Sequence, residues 1–395
     1  MIYDNPTAAY IHIPFCRRRC YYCDFAISVV GDSPLKNDST MVIDYVEHLC
    51  REIELTAVKN EPLQTIFFGG GTPSLLPVYK LELVLNTLEK TLGIARNAEI
   101  SLEIDPGTFD ARQLQEYLNL GVNRISLGVQ TFDSKLLELC GRTHNVEDVF
   151  TAINLIQQAN INNWSLDLIT GLPHQTIEDC QQSLETALKF TPPHLSCYDL
   201  VLEPVTAFGK QYQSGETPLP TEELTTQMYR LTQQILTSYG YQHYEISNYA
   251  RIGYQCRHNR VYWENKPYYG FGMSAASYFA RQRFNRPRTR QTYYDWVQRG
   301  AIIDVSPPSE NDYLLETLML GLRLAEGINL TAISKTFGEQ TKTNIVTYLK
   351  PYLKQNLVAI DTTRIEARLK LTDPEGFLLS NTILATLFQE LENDF

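Results

Sequence analysis

Short runs rich in Ile, Val, Phe and Tyr recur six times in the first two hundred positions, at 8–13, 65–68, 99–104, 124–129, 164–169 and 194–200. Each ends near Gly, Pro, Gln or Asp, the punctuation expected of strands. Between them apolar residues return at helical spacing over 41–58, 79–92, 111–118, 146–159 and 177–190. Strand-then-helix units in series predict a parallel sheet with right-handed crossovers. Six units are too few to close an eight-stranded barrel. The expected fold class is therefore α/β, a partial (β/α)6 barrel.

The stretch 214–220 is polar and carries two prolines, so it reads as a linker between a first domain over 1–220 and a second over 221–395. Beyond it Leu224, Met228, Leu231 and Ile235 share one helical face. After Asp312 helices precede a hairpin with strands at 357–360 and 368–371, and a last helix covers 381–391. That order predicts a smaller α+β domain of winged-helix appearance.

Composition narrows the class. With 43% hydrophobic and 20% charged residues, the 395-residue chain has the balance of a soluble globular protein. No apolar run approaches the roughly 18 residues of a membrane span. The first residues show neither a basic start nor an apolar core, so no secretory signal is expected. A net charge of −11 argues against broad nucleic-acid binding. Of eight cysteines, Cys16, Cys20 and Cys23 are crowded together, while Cys50, Cys140, Cys180, Cys197 and Cys256 are scattered. A disulfide framework would spread them differently. A reducing cytoplasm with a metal site near the N-terminus is the expectation.

The crowded cysteines are spaced C-x3-C-x2-C in a loop after the first strand. Three thiolates so placed can hold one iron–sulfur cluster. A four-iron cube would then keep one iron open to a small chelating molecule, as an open zinc position admits substrate. The plainer readings are a zinc site or unrelated thiols. Zinc wants a fourth ligand, and His12, on the strand, is poorly placed to be one. Gly69, Gly70 and Gly71 precede Thr72 after the second strand; they make either a tight turn or a backbone surface that a ligand can approach closely. Glu103 and Asp105 end the third strand, Gln130 follows the fourth, and Asp167 lies in the fifth. Strand C-terminal ends line ligand sites in barrel-like sheets. Each of these residues alone reads equally as a salt bridge or cap, and Arg142 alone as a solvated cation.

The cysteine segment resembles the radical S-adenosylmethionine superfamily. Its surroundings are closer still to oxygen-independent coproporphyrinogen III oxidases and the related HemW heme chaperones. The resemblance implies a [4Fe–4S] cluster on Cys16, Cys20 and Cys23. S-adenosylmethionine would lie on its fourth iron, surrounded by Tyr10, Tyr22, Gly70, Gly71, Thr72, Glu103, Gln130, Arg142 and Asp167. Three features lean towards the chaperone branch. The oxidases carry a further cysteine where Phe25 stands, and a long extension where fifteen residues precede Cys16. The segment from Arg257 to Trp263 also resembles the H-N-x-x-Y-W motif of the chaperones.

That branch implies heme binding and delivery to apo-hemoproteins, including respiratory enzymes at the membrane. It also implies an electron donor, a cytoplasmic location with access to the membrane periphery, and no decarboxylation. A homodimer is left open. His258 is the candidate heme-iron ligand, since imidazole is a common one. Tyr262 and Trp263 would pack on the macrocycle. Cys256 is a weaker rival, and a buried hydrogen-bonded histidine is the plainer reading. Arg281, Arg283, Arg286, Arg288 and Arg290 could pair with propionates, lipid or a partner, or form a solvated face. The competing functions are the oxidase itself, a radical methyltransferase using two S-adenosylmethionine molecules, and a winged-helix nucleic-acid binder. The acidic balance disfavours the last.

Overall fold

The computed structural model describes residues 5–32, 39–58, 61–304 and 308–392. They sort into two compact units, Met1–Met228 with Pro267–Ser306, and Tyr229–Lys266 with Pro307–Phe395.

All six expected strands of the first unit are present: β1 (Ala8–Ile13), β2 (Leu63–Gly70), β3 (Ile94–Ile104), β4 (Arg124–Gln130), β5 (Trp164–Thr170) and β6 (His194–Asp199). The intervening helices are α1 (Thr40–Thr56), α2 (Val78–Thr91), α3 (Ala111–Asn119), α4 (Val146–Gln158) and α5 (Ile177–Lys189). Spatial order follows chain order from β1 to β6, and every pairing is parallel. A doubly wound sheet would reverse its order at a switch point; this one does not, which makes it a partial barrel. Capping boxes start α4 (Asn145 with Asp148) and α5 (Thr176 with Asp179), fixing where each crossover turns into helix.

Two faces of the sheet differ sharply. Leu102, Ile125, Leu127, Leu166 and Leu195 are fully buried apolar residues. The alternate positions carry Ser101, Glu103, Ser126, Ser165, Asp167, His194 and Ser196. Because strand side chains alternate with period two, this polar set shares the barrel-interior face. It is held in register by the pairs Glu103–Ser126, Ser126–Ser165, Ser165–His194 and Asp167–Ser196.

A seventh strand, β7 (Tyr269–Phe271), adds in parallel beside β1. It explains why 267–306 belongs to the first unit. After a hairpin (Ala276–Phe279 with Gln282–Asn285), helix α6 (Arg290–Gln298) packs against α1. The joint is a buried ion pair. Arg286 Nε donates to Glu52 Oε1 at 2.7 Å, while Tyr293 Oη and the Gly272 N–H donate to Glu52 Oε2 at 2.6 and 2.8 Å. The division of the chain thus differs from a single boundary at 220. The expected linker is docked on the first unit, with Leu219 buried and the His174 N–H donating to the Pro218 carbonyl at 2.7 Å. The first passage between units falls inside the helix Glu222–Ser238.

The second unit contains the expected hairpin, Val358–Asp361 with Arg368–Leu371, extended by Ile328–Asn329. Helices Glu310–Gly321, Leu330–Phe337, Glu339–Tyr348 and Ser380–Glu392 surround it. Its core gathers Leu314, Leu318, Ile345, Leu369, Ile383 and Leu387. Among the described residues no helix is long and apolar enough to cross a membrane.

Candidate functional site

A cavity of about 430 Å³ opens at the C-terminal ends of the barrel strands, within the roughly 300–1,000 Å³ of small-molecule pockets. It brings together Cys16, Cys20 and Cys23 with Tyr22, Gly70, Gly71, Thr72, Glu103, Gln130, Arg142 and Asp167. Tyr10 and His258 are not among its lining residues.

The cysteine loop is tied to the sheet at both ends. Phe15–Cys16 pairs in parallel with Ser28–Val29, and the His12 imidazole Nε2 lies 2.8 Å from the Ala26 carbonyl. Arg19 donates across the loop to the carbonyls of Cys23 (3.2 Å) and Phe25 (3.0 Å). Burial, followed by the charge of Asp105, pushes the Cys16 thiol up to about 12; burial also raises Cys23. Among the described residues no three His, Cys, Asp or Glu side chains form a set that could hold one metal ion. A four-iron cube takes its thiolates on separate corners, and three thiols at one end of a cavity suit that donor pattern.

The glycines have a packing reason of their own. A Cβ on Gly71 would stand 2.7 Å from the Phe15 carbonyl oxygen and 2.8 Å from that of Ile13. One on Gly70 would run into the His12 ring. Only glycine lets β2 leave the sheet against the cysteine loop. The Gly71 and Thr72 N–H groups bond the Ile13 and Phe15 carbonyls at 2.8 and 2.7 Å.

The acidic wall contains Asp105, named at the end of the third strand, and Asp199, which the sequence reading missed. Asp105 accepts from Thr72 Oγ1 at 3.0 Å and pairs with Arg142 at 2.5 Å. The same guanidinium reaches Cys20 Sγ (3.5 Å), Tyr22 Oη (3.4 Å) and the Gly128 carbonyl (3.0 Å). Gly128 leaves room for this knot, since a Cβ there would meet Asp105 Oδ1 at 2.6 Å. The position of Asp105, two residues after Glu103 on a period-two face, was the signal available in the sequence. Arg142 is thus no solvated cation. Its Nε and that of Arg17 are buried without a protein hydrogen-bond partner, and both residues line the cavity.

Glu103 accepts the Gly70 N–H at 3.1 Å. Burial, aided by the Asp167 charge, pushes its carboxyl up to about 8 against that hydrogen bond. Burial also raises Asp167, opposed by hydroxyls of Ser196, Ser126 and Ser165. Gln130 ends β4 at a bulge with φ 71°. That left-handed conformation is uncommon outside glycine and re-aims its side chain. Asp199, held by Thr170 Oγ1 at 2.6 Å, completes the wall from β6. Tyr10 is half-buried on β1, with its hydroxyl 3.1 Å from His12 Nδ1 and its ring stacked on Phe67.

Comparison with known proteins fits this geometry. The radical SAM superfamily model matches residues 10–187, and the HemN C-terminal domain model matches 309–378. The chain is 52% identical to the heme chaperone HemW of Synechocystis, covering all of this chain and 99% of that one. It is 34% identical to the HemW of Lactococcus lactis, covering 96% and 97%. The chain belongs to the HemW family. The fold of this chain is similar to that of coproporphyrinogen III oxidase HemN of Escherichia coli, with a TM-score of 0.82 at 23% identity over 97% of this chain and 90% of that one.

Within this HemW-family chain, His258 lies in the second unit on the helix Arg257–Trp263 and is fully buried. Its Nε2 is 2.8 Å from the Tyr262 hydroxyl, and burial lowers its pKa to about 3. Cys256 is buried one residue before that helix. Of the five arginines, only Arg286 is buried. Arg286 is interior, Arg283 bonds the Tyr268 hydroxyl at 2.5 Å, and Arg288 reaches the Asp24 carbonyl at 2.5 Å. On a hairpin, closeness in sequence does not place side chains on one side.

Proposed function

We propose that this chain is a heme chaperone of the cytoplasm, holding a [4Fe–4S] cluster and S-adenosylmethionine in its barrel and passing heme to apo-hemoproteins. The observation that carries the reading is the 52% identity, end to end, with a protein named as a heme chaperone. The cavity supports it by the chemistry of its donors: three thiols, a glycine-bounded backbone, an acidic wall and two unpartnered guanidinium N–H groups.

In this reading Cys16, Cys20 and Cys23 bind the cluster, which supplies one-electron chemistry towards the sulfonium. Glu103, Gln130 and Asp167 bind and orient S-adenosylmethionine. Tyr22 and Arg142 close the side next to Cys20, and Tyr10 supports the floor through His12 and Phe67. The cofactor-binding residues all fall within 1–220, in the first unit, and the heme function is assigned to 221–395 through His258 in the second unit. His258 would hold the heme iron; burial keeps its imidazole neutral, and its Nε2 meets the Tyr262 hydroxyl in the heme-free chain. Apo-hemoproteins, including membrane-bound respiratory enzymes, and an electron-donor protein are the partners; nucleic acid is not.

The test is anaerobic reconstitution followed by heme loading and mixing with an apo-hemoprotein. Transfer of the heme absorption bands to the acceptor, with no protoporphyrinogen formed from coproporphyrinogen III, is the expected result. Decarboxylation without heme transfer overturns the reading in favour of an oxidase.

A further inference from the structure

We propose that His194, acting through Ser165, is a positioning residue that fixes the Asp167 carboxylate at the cavity floor; this rests on the cavity being the S-adenosylmethionine site. Parallel register sets Ser165 opposite His194 and Asp167 opposite Ser196 across β5 and β6, and Ser126 opposite Ser165 across β4 and β5. Asp167 receives the Ser126 hydroxyl at 2.8 Å and the Ser165 hydroxyl at 3.0 Å. Ser165 Oγ lies 2.9 Å from His194 Nδ1.

A serine hydroxyl has one hydrogen. With that hydrogen given to Asp167, the Ser165 oxygen accepts from His194, which requires the Nδ1–H tautomer. His194 is 1% exposed and Ser165 fully buried. Burial lowers the imidazole pKa well below 6.5, so it stays neutral and donates through a fixed N–H. The trio is not a hydrolytic triad. In such a triad histidine stands between serine and carboxylate and takes the serine proton. Here serine stands in the middle, and its hydroxyl points to the acid below the cavity.

The consequence concerns the ligand. An ionised carboxylate has about four acceptor sites. The serines bind it from within the sheet, so its remaining sites face the cavity, where Asp167 is a lining residue. A carboxylate so aimed accepts hydrogen bonds from a ligand hydroxyl or ammonium without first having to be ordered, which lowers the cost of binding.

The test uses the anaerobically reconstituted full chain, with S-adenosylmethionine binding read by equilibrium dialysis. Asp167→Asn weakens binding roughly 10- to 100-fold, as expected for a lost charged hydrogen bond. His194→Leu weakens it about fivefold. His194→Asn, whose amide N–H falls near the Nδ1 position, restores the wild-type value, whereas His194→Gln does not. Iron content and thermal midpoint of the Asn and Gln variants match each other, so the contrast does not reflect folding. Independently of any ligand, the 15N shifts of His194 report the Nδ1–H tautomer. An Nε2–H tautomer, or equal affinity of the Asn and Gln variants, overturns the inference. If Asp167→Asn binds as tightly as wild type, the cavity reading itself fails; if it does not and His194→Leu binds normally, only the role of His194 falls.

Discussion

Glu103 links the charge of the cavity to the charge of its ligand. Its carboxyl stands at about 8 instead of the ordinary 4.5 because it is buried and faces Asp167. Between those values the folded chain keeps a proton that the unfolded chain has lost. Stability therefore falls as pH rises across that window. At about 1.36 kcal/mol per pH unit the full penalty is roughly 5 kcal/mol above pH 8, an upper figure because the cavity admits water. Glu103→Gln cannot ionise, so it escapes the penalty. Urea unfolding of the ligand-free chain at pH 5, 7 and 9 checks this. The variant gains on wild type as pH rises and gains most at pH 9. A cation bound beside Glu103 reverses the effect: near pH 7 binding of S-adenosylmethionine expels close to one proton more from wild type than from Glu103→Gln, read by calorimetry in buffers of different ionisation enthalpy. A pH-independent difference in stability between wild type and Glu103→Gln, with equal proton release on binding, refutes the reasoning.

Three further outcomes follow from the packing. Arg286→Met strips the cation from a fully buried Glu52 and lowers unfolding free energy by about 3–5 kcal/mol, while adding Glu52→Leu recovers only part of the loss, because the Tyr293 hydroxyl and the Gly272 N–H then lose their acceptor; denaturant midpoints of the three chains decide it. Gly71→Ala drives a methyl into two carbonyl oxygens of the cysteine loop, so reconstituted iron content falls with little change in the second unit, as separate proteolysis of the two units reads. His258→Ala removes heme binding while leaving iron content intact, and Tyr262→Phe tightens heme binding about fivefold because Nε2 no longer has a hydroxyl to surrender; heme titration followed by absorbance distinguishes both from wild type.

The barrel was legible because its strands repeat with period two and its helices with period 3.6, and each repeat ends at turn residues. β7 was not legible, being only three residues long and defined by pairing with β1, more than 250 positions away in sequence. The same return of the chain hid the division into units, since nothing local marks Arg286 as the partner of Glu52. At the site, the cysteine spacing and the glycine run could be read directly. Gln130 could be named but its left-handed backbone could not, because the bulge depends on β5. The arginine run was open in sequence between ligand pairing, docking and a solvated face, because sequence alone does not say that the hairpin sends Arg286 inward to Glu52 while Arg283 meets Tyr268 and Arg288 meets the cysteine loop.

The central claim is that three cysteine sulfurs in the first loop carry a four-iron cube. Mössbauer spectroscopy of the anaerobically reconstituted chain, beside the chain with Cys16, Cys20 and Cys23 all changed to alanine, tests it most directly. The account predicts about four irons per chain in a single [4Fe–4S] signature, altered at one iron site when S-adenosylmethionine is added, and none in the alanine chain. Equal iron in both chains, or a wild-type chain that takes up no iron–sulfur signature, contradicts it.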